Sequence, residues 1–245
     1  MSAPLLAVEG LTRRFKGLTA VSDVSFALEA GAIAALVGPN GAGKTTCFNL
    51  IAGRLAPSAG AIRFEGARID GLPPEAICRR GIARTFQVMR PMPDMTVEEN
   101  VMVGAFAWTT SVAEARRQAR RVLDQVGLAP KAATLAQFLT LPDRKMLELC
   151  RALATRPRLL LLDEVMAGLR PVEADRIVAL LRELNRDGLT ILLVEHVMRV
   201  VMSLASRVIV LHHGVRIADG PPEAVTRDPA VIESYLGARA HGSTA

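Results

Sequence analysis

At 245 residues the chain is long enough to bury a substantial core, as one large domain or two small ones, without covalent staples. Half of it is apolar and 22% is charged, an ordinary globular balance that excludes a disordered, collagenous or coiled-coil protein. The net charge of +6 admits an anionic partner, but aromatic residues make up only 4%, too few for the stacking platforms of single-strand binders, and apart from short pairs such as Arg116/Arg117 and Arg120/Arg121 the arginines are scattered.

Taken in chain order, short apolar runs bounded by turn residues predict strands at 5–8, 24–28, 33–37 and 61–64, a β-rich beginning. After the third, Phe48, Leu50 and Ile51 open a helix that ends near Gly53 and Pro57. From about 91 to 154 the spacing turns helical, with Val112, Ala115, Ala119, Val122, Leu123 and Val126 on one face and Leu147, Cys150, Arg151 and Ala154 on another. This predicts a mostly helical subdomain inserted into a sheet domain. Uninterrupted apolar strands at 159–162 and 190–194 flank a helix over 172–186 marked by Ile177, Leu180, Leu181 and Leu184, the alternation of a buried parallel sheet. Runs at 208–211 and 215–218, split by His213-Gly214, read as a hairpin, and a last helix covers 230–236. The fold class is α/β.

No uncharged apolar stretch approaches the 18 residues of a membrane span, and no secretory leader follows Met1. Cys47, Cys78 and Cys150, an odd number at wide spacing, fit neither a disulfide framework nor a zinc site and suit a reducing compartment.

Two motifs carry chemistry. Gly38-Pro39-Asn40-Gly41-Ala42-Gly43-Lys44-Thr45 fits the P-loop pattern and lies between a predicted strand and a predicted helix. Its glycines let backbone N–H groups turn toward phosphate oxygens, and the helix presents its positive end to the same charge. Lys44 is expected on the β- and γ-phosphates, the Thr45 hydroxyl on Mg2+, and Thr46 on a phosphate. The second motif, Leu159-Leu160-Leu161-Leu162-Asp163-Glu164, brings Asp163 out at the carboxyl end of a buried strand, where α/β sheets bind ligands. Asp163 is expected to hold Mg2+, and Glu164 to polarise the attacking water; the competing reading makes Glu164 a surface carboxylate that caps the next helix.

With both motifs in place, the chain from about residue 5 to 237 resembles the ATP-binding subunits of ABC transporters. The resemblance implies a P-loop NTPase with a RecA-like parallel core, an N-terminal antiparallel β subdomain and an inserted helical subdomain at about 91–154, in one ATP-binding domain over 1–245. It also implies that Phe15 stacks on adenine, that Gln87, in Arg84-Thr85-Phe86-Gln87, reaches the Mg2+ and the water, and that His196, after Val194-Glu195, contacts the γ-phosphate. Met95-Thr96-Val97-Glu98-Glu99-Asn100-Val101 and the C-terminal Ala218-Asp219-Gly220-Pro221-Pro222-Glu223 and Tyr235-Leu236-Gly237 are similar to branched-chain amino acid importers, features that urea and amide importers share. Such subunits hydrolyse ATP at the cytoplasmic face of the membrane. They work with two transmembrane permease subunits, a second ATP-binding subunit and, indirectly, an extracellular substrate-binding protein, and a short permease helix is expected to dock near Gln87 and 89–95. A nucleic-acid partner is not expected, because chains of this class that act on nucleic acid or ribosomes usually carry insertions or a second ATP domain.

One segment departs from the family. Where a Leu-Ser-Gly-Gly-Gln signature is usual, the chain has Leu139-Thr140-Leu141-Pro142-Asp143. Thr140 keeps a hydroxyl, but Leu141 and Pro142 replace both glycines, and proline has no N–H to donate. In the family this segment contacts nucleotide bound to the other ATP-binding subunit, so the change implies either a heterodimer with an intact-signature partner and one competent site, or a dimer in which Thr140, Asp143 and neighbouring backbone groups serve in both sites. Arg170 and Val165 also stand where Asp or Asn, and Pro, are common.

Overall fold

The computed structural model describes residues 3–85 and 91–240. In chain order the elements are β1 (Leu6–Phe15), β2 (Leu18–Leu28), β3 (Ile33–Val37), α1 (Lys44–Ile51), β4 (Ala59–Phe64), β5 (Ala67–Arg68), α2 (Pro74–Arg79), β6 (Ile82–Arg84) and α3 (Val97–Ala105). They continue with α4 (Val112–Val126), α5 (Leu141–Ala154), β7 (Leu159–Asp163), α6 (Pro171–Arg186), β8 (Thr190–Val194), α7 (Met198–Leu204), β9 (Arg207–His212), β10 (Val215–Gly220), α8 (Pro222–Val225) and α9 (Pro229–Ala240). These form two compact units, one from the described parts of 1–74 and 190–245, the other from those of 75–189.

In the first unit, β2, β1, β4 and β5 form an antiparallel sheet in that order. Its ladders are longer than the apolar runs predict. β1 pairs with β2 from Leu6↔Leu28 out to Phe15↔Leu18, through register shifts between Val8 and Arg14 that break the alternation on which the sequence reading relied. The second group of strands centres on β3, which pairs in parallel with β8 and with β9. All five residues of β3 and of β8 are buried, which is why both are uninterrupted apolar runs. β9 returns antiparallel as β10 through His213 (φ 47°) and Gly214 (φ 80°), the left-handed pair of a two-residue hairpin turn. Arg207 fastens this hairpin, donating to both carboxylate oxygens of Asp219 and to the Ala27 carbonyl of β2.

The second unit contains β6 and β7, parallel with Ile82↔Leu159, Ala83↔Leu160 and Arg84↔Leu161 in register. Its helices have legible boundaries. α3 opens with a capping box between Thr96 and Glu99, and α4 starts at Ser111 and ends on Gly127 in the left-handed region. The buried face of α4 is Ala115, Gln118, Ala119, Val122, Leu123 and Val126, and that of α5 includes Met146, Leu147, Leu149, Cys150 and Ala154. Buried Asn100 ties the segment before α3 in place. Its amide donates to the carbonyls of Met92, Met95 and Thr96, and its oxygen accepts from the Met92 N–H.

Candidate functional site

The loop from Gly38 to Gly43 joins the buried end of β3 to α1. Three of its residues lie in the left-handed region, Gly38 (φ 147°), Gly41 (φ 78°) and Gly43 (φ 102°). At two of them space as well as angle demands glycine, since a Cβ on Gly38 would sit 2.1 Å from the Leu211 carbonyl oxygen and one on Gly43 2.5 Å from that of Ala20. The hairpin turn after β9 braces the loop: the Gly214 N–H donates to the Ala42 carbonyl (3.1 Å), and the Gly214 carbonyl accepts from the Ser22 N–H (2.8 Å). Tyr235 of α9 reaches the same loop; burial pushes its phenol up, and a hydrogen bond with the backbone of Gly38 partly offsets this.

α1 begins at Lys44, four residues before its first large apolar side chain, and Gly43 offers no side-chain cap to its first turn. Helix N-termini left in this way attract anions, because their first N–H groups carry the positive end of the helix dipole. Lys44 is buried, and its ammonium donates to the Gly38 (2.7 Å) and Pro39 (2.9 Å) carbonyls of the loop itself. Thr45 is exposed and Thr46 half-buried at the same helix end, and Asn40 and Gly41 are exposed at the tip of the loop. In sum this is a glycine loop leading into an uncapped helix N-terminus with one lysine folded against the loop, a setting suited to phosphate.

His196 belongs to the same unit. It is exposed just beyond β8, after the buried Glu195. Because β8 and β3 are parallel neighbours with Leu36 opposite Val194, His196 and the Gly38 loop leave the carboxyl ends of adjacent strands, the usual ligand edge of an α/β sheet. Phe15 is exposed at the end of β1, with the Arg13 guanidinium 4.7 Å from its ring centroid.

In the second unit, Asp163 ends β7 and is buried. One carboxylate oxygen, Oδ2, accepts from the Arg84 guanidinium at 2.8 Å, and its backbone N–H donates to the Thr85 hydroxyl at 3.3 Å. The other oxygen, Oδ1, is buried with no hydrogen-bond partner among the described residues. Such an oxygen is a hard, anionic donor, the type that Mg2+ takes, so the residue present fits the cation the motif implies. Among the described residues no three His, Cys, Asp or Glu converge, so a cation held here draws its remaining ligands from hydroxyl, phosphate and water.

Glu164, next in the chain, is half-buried at φ 50°, a conformation that costs a non-glycine residue about 1–3 kcal/mol. Its carbonyl accepts from the Ala167 N–H (3.1 Å) and from the buried Lys145 ammonium (3.4 Å). Glu164 does not cap the following helix. α6 starts at Pro171, and its end is closed by Arg170 and Glu173, which leaves the Glu164 side chain without that structural duty.

The departing segment has a definite local role. Thr140 is the N-cap of α5, Leu141 and Pro142 begin its first turn, and the Thr140 hydroxyl both accepts from the Asp143 N–H and donates to the Asp143 carboxylate. Lys131 pairs with the same carboxylate. Burial works against ionisation of Asp143, but Lys131 and Thr140 outweigh it and hold the carboxyl below its ordinary range. The hydroxyl expected to replace the family serine is thus engaged by its own helix. Gln87 and Met89 lie outside the described residues.

Sequence reasoning gave no role to Arg84, Thr85, Lys145 or Tyr235. The strand that carries Arg84 is three residues long, too short for a periodicity, and only the register with β7 reveals which carboxylate its side chain meets.

The sequence model of the family described as ABC transporter matches residues 21–167. The chain belongs to the ABC transporter family. A second model, described as branched-chain amino acid ATP-binding cassette transporter, matches residues 215–241. The high-affinity branched-chain amino acid transport ATP-binding protein BraF of Pseudomonas aeruginosa is 42% identical, over 97% of this chain and 99% of its own length. LivG of Escherichia coli K12, which carries the same description, is 40% identical over the same shares. Among solved structures, an ATP-binding cassette of an ABC transporter in its ADP conformation superposes with a TM-score of 0.88 at 30% identity, covering 96% of this chain and all of the other. A nucleotide-free cassette matches with the same score and identity, covering 95% and 99%. The fold is therefore that of an ABC cassette, a P-loop NTPase of the α/β class, and the chain is an ATP-binding subunit. Among its described residues no helix is long and apolar enough to cross a membrane.

Proposed function

We propose that this subunit hydrolyses ATP to drive an importer of branched-chain amino acids. The observation that carries the reading is the Gly38 to Gly43 loop with its uncapped helix and inward Lys44, in a chain alike over nearly its whole length to BraF and LivG. The loop N–H groups and Lys44 hold the β- and γ-phosphates, Thr46 adds a phosphate contact, and Phe15 stacks on the adenine. Thr45, Asp163 and Gln87 would hold Mg2+, which when bound would neutralise charge on the transferring phosphoryl group. Glu164 orients the attacking water and accepts its proton, and His196 contacts the γ-phosphate.

Residues 1–245 then act as one ATP-binding domain whose helical part, at about 91–154, faces the transport machinery at the cytoplasmic side of the membrane. Its partners are two permease subunits and a second ATP-binding subunit, with an extracellular binding protein choosing the solute. Pro142, which lacks an N–H, and the Thr140 hydroxyl, engaged by Asp143, argue for a heterodimer in which the other chain brings an intact signature. Tagging the chain, solubilising native membranes gently and identifying the co-purifying proteins by mass spectrometry tests the whole reading. Two permeases and a second ATP-binding chain with both signature glycines are expected. Nucleic acid or ribosomal proteins with no membrane partner would overturn it, and permeases of a urea or amide system would replace the solute.

A further inference from the structure

Asp163 is a buried carboxylate whose two oxygens are treated differently. A buried charge needs compensation, and β6 supplies it from the neighbouring strand. Arg84 lies opposite Leu161 in the parallel register, two residues short of Asp163. Two residues of strand rise are about 6.6 Å, a span a guanidinium bridges. The side chains meet at 2.8 Å with only 9% and 2% of their surfaces exposed. Thr85 continues the ladder, donating its N–H to the Leu161 carbonyl (3.0 Å) and accepting the Asp163 N–H at its own buried hydroxyl. Arg84-Thr85 therefore restrains Asp163 at both ends, backbone and carboxylate, while Oδ1 stays without a hydrogen-bond partner among the described residues.

We infer that Arg84 is a positioning residue for the metal site: by engaging Oδ2 it sets the Asp163 rotamer so that Oδ1 alone is offered to the divalent cation. The inference rests on the metal role proposed above for Asp163. Its physical content is directional. A carboxylate free to rotate offers either oxygen and pays conformational entropy when a cation selects one, whereas a carboxylate held by an arginine has settled that choice in advance. The guanidinium also places a positive charge near the cation, so the inference requires orientation to outweigh repulsion.

The test measures Mn2+ binding to the ADP complex of the full chain by electron paramagnetic resonance, with ADP affinity in EDTA as a metal-independent reference. Arg84→Lys keeps the charge but loses the planar donor fork, and Arg84→Gln loses both. Loss of an outer partner of a metal ligand typically weakens affinity about 10–100-fold, so Arg84→Lys is expected to weaken Mn2+ binding by about tenfold and Arg84→Gln by more, with ADP affinity in EDTA unchanged. In an Asp163→Asn background, Arg84→Lys should add nothing. If Arg84→Gln shows no cooperative thermal transition, Arg84→Lys alone decides. Mn2+ binding as tight as wild type, or tighter, in Arg84→Lys overturns the inference, since the arginine would then balance charge or compete with the cation. Mn2+ binding that survives Asp163→Asn overturns the role of Asp163 and that of Arg84 with it. A wild-type chain that binds no ADP would overturn the nucleotide reading itself.

Discussion

Gly38 and Gly41 belong to one loop and both lie at positive φ, yet different physics constrains them. Gly41 has open space around its missing Cβ, so alanine there meets only the left-handed backbone penalty, about 1–2 kcal/mol. Alanine at Gly38 meets the Leu211 carbonyl as well, and the loop must move off the end of β9 to admit it. Gly38→Ala is therefore expected to lower the melting temperature more than Gly41→Ala and to abolish nucleotide binding, which Gly41→Ala only weakens; thermal melts and ADP titrations compare the two directly. Glu164 poses a different question at the same scale. It holds a strained backbone conformation and does not close the N-terminus of α6, and its role as the base that orients the water is the one proposed above. Removing a general base typically costs about 10²–10⁴-fold in rate, so Glu164→Gln should bind ATP as wild type does while phosphate release falls by at least about 10²-fold. Equal rates would take Glu164 out of the mechanism.

Among the elements, α5 shows how a segment can abandon a family pattern and remain well folded. Proline is at home in a first helical turn, where its missing N–H has no intrahelical partner to lose, and Thr140 caps that turn. Thr140→Ala is expected to cost about 1 kcal/mol of stability in denaturant unfolding, the usual worth of an N-cap. The pH dependence of this cap follows from the depressed Asp143 carboxyl. A group whose folded pKa lies below its unfolded value, about 3.9, stabilises fully above that value and loses its contribution as pH falls through the folded pKa. Asp143→Asn should thus be less stable than wild type at pH 7, with the gap closing as pH drops below about 4. Elements with strong apolar character were legible in the sequence: β3, β7 and β8 are buried on both faces, and α4 carries its stripe at the expected spacing. Those governed by pairing were not. The outer ends of β1 and β2, from Arg13 to Phe15 and from Leu18 to Val21, are strands because each pairs with the other's backbone, across register shifts that no side-chain pattern announces. The first turn of α1 lies outside the apolar run for a related reason, since Lys44 donates to the loop and Thr45 and Thr46 add nothing to an apolar stripe.

At the scale of the whole molecule, the chain's motifs divide between its two compact units, the phosphate loop and His196 in one and the carboxylates with α5 in the other. The motif residues were legible because phosphate and metal chemistry admit few residue types at fixed spacing, while their supports, Arg84 and the Gly214 turn, depend on strand register that only the fold supplies. The altered first turn of α5 then bears on activity rather than stability. If ATP turnover needs backbone donors from a partner's signature, a homodimer of this chain lacks the donor at Pro142 in both sites, and losing one such donor costs about 10²–10³-fold in kcat. The purified chain alone should therefore bind ATP but turn it over slowly. Replacing Leu141 and Pro142 together by glycine should raise that rate at least about tenfold, even though glycine loosens the first turn of α5 and lowers the melting temperature. Opposite movement of stability and turnover is what a trans-acting donor predicts, because a purely structural role would carry both down together. Unchanged turnover in the double variant would mean that Thr140, Asp143 and their neighbours already serve, and that two copies of this chain suffice.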